Sequence, residues 1–133
     1  MKKFKLTSEF IVDISGVKLF RIKALIEFGN VKAGDLGGYI EKEENLSHMG
    51  DAWVSGDARV SGDKDYAYAH GFGSCNRTTT FFRLKDGDVG VRCGCFYGTL
   101  AQFRDKVCET HGETKKAQEY LMLADLMEIR FKN

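Results

Sequence analysis

Proline is absent from the 133-residue chain, tryptophan occurs once, and no apolar run approaches the roughly 18 residues that a membrane-crossing helix needs. Without proline no turn has a preset φ, so chain reversal falls to glycine, and most of the fifteen glycines lie between Gly29 and Gly98. A cytosolic protein is expected, and its four cysteines are then expected as reduced thiols. No apolar segment follows the basic start Met1–Leu6, so no secretory leader is expected either. What is present is a globular balance, 43% hydrophobic and 29% charged.

The net charge of +1 hides a partition. Residues 1–33 hold seven Lys/Arg against three Asp/Glu, residues 34–72 three against eight, and residues 73–133 ten against eight. An acidic middle between basic ends argues against direct nucleic-acid binding. It favours self-association or docking on a basic partner.

Phe10–Ile14 and Val17–Ile22 are β-branched and aromatic runs joined by Ser15-Gly16, the pattern of a β-hairpin. Then Gly50-Asp51-Ala52-Trp53-Val54-Ser55 is followed by Gly56-Asp57-Ala58-Arg59-Val60-Ser61. A period of six fits neither a helix nor an ordinary strand. One row carries Ile40, Leu46, Ala52 and Ala58; a second carries Val54, Val60, Tyr66 and Phe72. Short strands with an inward aliphatic residue and glycine corners predict a hexapeptide-type parallel β-helix of about two coils. Past Asp63, aromatic bulk at Tyr66 and Tyr68 replaces the small corner residues and predicts a cap.

Beyond Gly73 the pattern changes. Thr78–Leu84 and Val89–Phe96 predict two strands around Asp86-Gly87-Asp88. Thr99 and Gln102 have capping-box spacing for a helix ending at Gly112. Thr114 can cap a second helix with the stripe Ala117, Tyr120, Leu121, Ala124 and either Leu126 or Met127. The whole reads as α+β: a hairpin plus short β-helix in residues 1–72, and a ββαα lobe in residues 73–133.

Leu19–Leu25, Gly34-Asp35-Leu36-Gly37-Gly38-Tyr39-Ile40-Glu41, Asn45-Leu46-Ser47 and Gly50–Val54 together resemble small proteins encoded by phages and prophages, in which a similar introduction leads into β-helix hexads. Thr78–Arg83, Cys93–Phe96 and Thr110-His111-Gly112 resemble a domain that often closes them. Very few hexads, and cysteines at Cys75 and Cys108, depart from that pattern. The resemblance implies no established activity. It implies a non-enzymatic phage accessory protein in the host cytoplasm that binds a host protein. An inhibitor of a host defence system, of anti-CRISPR type or similar, is the most economical role; a virion or assembly component is another. A homodimer is also expected, because a short solenoid leaves surface to cover.

Candidate residues fall into three sets. Trp53 and Arg59 are equivalent positions of successive hexads and are expected to face outward; with Asp51, Asp57 and Asp63 they form the candidate binding surface. The Gly71–Thr80 loop, with Asn76, Arg77 and Thr78 and with Arg83 and Arg92 nearby, is the alternative, a backbone nest for a nucleotide or other small ligand. It matches no P-loop or dinucleotide fingerprint. Cys93, Cys95, Cys108 and His111 have donors for a tetrahedral zinc site. Cys-x-Cys is a weak zinc signal, and the plain reading is small apolar strand residues beside surface helix positions. His48 and His70 flank the repeat as an acyltransferase histidine would, with no carboxylate at a defining spacing. The corner aspartates lack the glycine-rich nonapeptide of calcium-binding repeats. No catalytic residue, metal or cofactor is therefore expected.

Overall fold

The computed structural model describes residues 2–13, 16–46, 52–56, 58–61, 65–85, 87–93 and 96–131 except 73–76, with backbone alone at 70–72 and 77. Among these, β1 (Phe4–Val12), β2 (Lys18–Ala24), β3 (Leu36–Ile40) and β4 (Arg59–Val60) form one sheet in that order. A second sheet holds β5 (Tyr66–Phe72), β6 (Arg77–Arg83), β7 (Val89–Cys93) and β8 (Phe96–Thr99). Helices α1 (Leu100–His111) and α2 (Lys115–Phe131) follow.

The hairpin is present and longer than its strongest sequence signal, because β1 starts at Phe4 and pairs through Phe4↔Ala24. Its turn is closed by Asp13, whose carbonyl accepts from the Gly16 N–H and whose carboxylate accepts from the Val17 N–H, both at 3.0 Å. Gly16 sits at φ 86°, where a Cβ is disfavoured.

The hexad rows are buried at Ile40, Leu46, Ala52, Ala58, Val54 and Val60. Their ladder is brief. β3 meets β4 in parallel through Tyr39↔Arg59 and Ile40↔Val60 only. Its other edge is taken by β2 in antiparallel pairing, and among the described residues no further strand pairs with β4. A stacked parallel β-helix is accordingly not shown among the described residues. Val54 and Ala58 instead bond to β3, their carbonyls accepting from Gly38 and Tyr39 at 2.9 and 2.8 Å.

The second sheet is antiparallel throughout. The expected pair is there as β6 and β7, flanked by β5 and β8. Tyr66–Phe72, expected as a cap on the coil, is the edge strand β5, so the sheet boundary falls before Tyr66. Alternation along β6 separates two cores. Phe82 joins Trp53, Phe4, Phe28 and Ile22, while Phe81 joins Val91, Phe103, Val107, Tyr120 and Ala124 under the helices.

Both helix starts follow local chemistry. Thr99 Oγ1 accepts from Gln102 N–H at 3.3 Å, and Gln102 Oε1 accepts from Thr99 N–H at 2.9 Å. Thr114 Oγ1 accepts from the Ala117 N–H at 3.3 Å. The buried stripe of α2 is Ala117, Tyr120, Ala124, Met127 and Phe131, so Met127 faces in and Leu126 faces out. No helix among the described residues is long and apolar enough to cross a membrane.

Candidate functional site

Trp53 faces the wrong way for a contact surface. It is 2% exposed, with Phe28 and Phe4 edge-on at 5.4 and 6.4 Å between ring centroids. An ideal Cβ on Gly37 would come within 2.7 Å of both Trp53 Cζ2 and the Val54 carbonyl, so the indole fits because residue 37 has no side chain. The six-residue equivalence with Arg59 misleads because Trp53 precedes the two-residue parallel contact and lies beneath β3. It belongs to the first core, apart from the core under the C-terminal helices. Arg59 is half-buried rather than exposed, and its Nε is enclosed without a hydrogen-bond acceptor. Asp51, Asp57 and Asp63, the remainder of that set, lie outside the described residues, as does His48.

The alternative loop is not one site. Asn76 lies outside the described residues, as does the side chain of Arg77; so does that of His70. Thr78, Thr79 and Thr80 are buried in β6, and Thr80 Oγ1 accepts from the Trp53 N–H at 3.2 Å. Arg83 and Arg92 are on opposite faces of the second sheet, because Thr80 is opposite Arg92 while Arg83 is three residues further along β6. Arg92 donates to Ser55 Oγ at 3.0 Å, toward the first core. Burial pulls its guanidinium below the usual range, against the opposing pull of Asp35 and Tyr97. Arg83 donates through Nε to Asp65 Oδ1 at 2.8 Å and through Nη2 to the Phe131 carbonyl at 3.1 Å, tying α2 to β6.

Of the zinc set, Cys93 and His111 line one small pocket of about 160 Å³ with Phe103 and Tyr120. Cys93 Sγ accepts from Thr79 Oγ1 at 3.3 Å and lies 3.6 Å from the Tyr120 hydroxyl. Cys108 is exposed outside that pocket, and Cys95 lies outside the described residues. Among the described residues no three His, Cys, Asp or Glu side chains converge as metal ligands would.

A surface that the sequence reading missed lies on α2 and β5. Met122, Leu126 and Ile129 are 70%, 54% and 72% exposed. Spaced by four and three, they form a ridge on the side of α2 away from its buried stripe. Beside it, Tyr66, Ala67, Tyr68, Leu126, Met127 and Arg130 line a groove of about 420 Å³. β5 is the edge of its sheet, and Tyr68 is itself exposed. Arg104 links α1 to α2, donating to Glu128 at 2.9 Å and Asp125 at 3.0 Å. The Glu128 hydrogen bond, with Asp125 beside it, holds the Arg104 guanidinium above its usual range. One signal for the ridge was in the sequence: α2 carries more apolar residues than one stripe can bury. Comparison with protein-family models, with curated proteins and with solved structures finds no match for this chain.

Proposed function

We propose that this chain acts by binding another protein, as an accessory protein of the phage class that its sequence resembles, antagonising a defence system in the host cytoplasm. The exposed apolar ridge Met122, Leu126 and Ile129, whose Leu126 also lines the groove with β5, is the observation that carries this reading. Exposed contiguous apolar side chains on a rigid helix mark interaction surfaces, and an open strand edge accepts an added strand. The occupant is an extended segment of the target that pairs along β5 and sets alternate apolar side chains against Tyr68 and Leu126. The hexad segment serves as the scaffold, its parallel return pairing Tyr39 with Arg59, 20 residues on and two more than three hexads span.

Ile129→Asp tests this. In a host with an active defence system, expression of the chain should restore phage plaque formation, and the variant should lose that effect while keeping its thermal midpoint. Equal restoration by the variant, or none by the parent chain, overturns the reading. Light scattering at micromolar concentration checks the homodimer: a mass twice 15.0 kDa that halves in Ile129→Asp assigns the ridge to self-association instead.

A further inference from the structure

A second cavity, away from the α2–β5 face, opens where the ends of β1, β4 and β6 meet the start of β2. It encloses about 530 Å³ and is lined by Val12, Asp13, Leu19, Arg59, Ser61, Asp65, Arg83, Leu84, Lys85 and Gly87. That volume lies in the range of small-molecule sites. We propose that it binds a small organic carboxylate, its charged end held by Arg59 and Lys85 and its apolar body against Val12, Leu19 and Leu84.

The acids of the cavity are already committed. Asp65 Oδ2 accepts from Ser61 N–H at 3.2 Å and Ser61 Oγ at 2.9 Å, and its Oδ1 accepts from Arg83 at 2.8 Å. Asp13 holds the hairpin turn through Val17. Neither supplies an acceptor to Arg59, whose buried Nε is the unsatisfied side-chain nitrogen among the described residues. A buried charged N–H without an acceptor is costly, and a ligand oxygen is the group that removes the cost. The Arg59 backbone is paired in β4 between buried Ala58 and Val60.

The chemistry of the ligand follows from the lining. Among the described residues three cations (Arg59, Arg83 and Lys85) face two acids (Asp13 and Asp65), a surplus of one charge. A planar monoanion with two oxygens matches a guanidinium edge and that surplus. A doubly charged phosphate would be set against both carboxylates. The proposal is independent of the protein-binding face, because the two cavities share no lining residue.

Titration of the full chain by amide and guanidinium NMR tests it, with hexanoate, hexan-1-ol and inorganic phosphate as probes. Hexanoate should give saturable shifts at the Arg59 Nε–H and the Ser61 amide, with hexan-1-ol and phosphate giving none. Arg59→Met should weaken hexanoate by at least about tenfold while leaving the amide spectrum elsewhere unchanged. Lys85→Met, at an exposed position, supplies the same reading if Arg59→Met fails to fold. No saturable shift, equal binding by the folded variant, or preference for phosphate overturns the proposal.

Discussion

At the scale of single residues, burial of Trp53 follows from what β3 lacks. Gly37 leaves the space the indole fills, and Phe4 and Phe28 close its edges. Lys3 completes the enclosure: its Nζ donates to the Ala52 carbonyl and lies 4.6 Å from the centre of the Phe28 ring. Trp53→Ala removes the largest fully buried side chain, so a loss of roughly 3–5 kcal/mol is expected in denaturant unfolding. A change under about 1 kcal/mol would return Trp53 to the surface. The hexad period identified position 53 as special but assigned it the wrong face. A repeat defines equivalent positions only while successive rungs stack, and here one two-residue contact does so.

Elements obey their local sequence more closely. The helix boundaries were legible from Thr99, Gln102, Gly112 and Thr114, because capping satisfies backbone groups of the same few residues. Thr99→Ala should therefore cost about 1 kcal/mol, read from the urea midpoint at unchanged slope. Gln102→Ala should cost less, because Gln102 serves the reciprocal half of the box. Strand membership was less legible. Tyr66–Phe72 has the aromatic bulk of a cap and the alternation of a strand, and pairing with β6 decides between them. Leu126 and Met127 were likewise equivalent in the periodicity of α2. Packing against the second core buries Met127 and leaves Leu126 on the ridge.

Across the whole molecule, the second sheet is a shared wall. Phe82 faces the Trp53 core, Phe81 faces the helices, and Arg92–Ser55 and Trp53–Thr80 hydrogen bonds stitch the first side. Such a wall makes the two cores unfold together. Trp53 fluorescence, reporting the first core, and far-ultraviolet circular dichroism, reporting the helices, should give coincident denaturant transitions. Two separated midpoints would show that residues before and after the boundary at Tyr66 fold as independent units. The exposed ridge contributes little to this cooperativity, which is why Ile129→Asp is expected to spare stability while removing binding.

The sequence by itself determined the α+β class, the hairpin, the central strand pair and both helices with their caps. Those features rest on contacts a few residues apart, or on patterns with one favourable reading. Only the tertiary structure decided that Trp53 is core, that Arg83 and Arg92 point away from one another across a sheet, and that Arg59 lacks an acceptor in a cavity. It also decided that Leu126 of α2 shares a groove with β5, the edge strand of its sheet among the described residues. Each of these depends on which distant segments share a face, and sheet pairing sets that through hydrogen bonds that backbone groups of nearly any sequence can form.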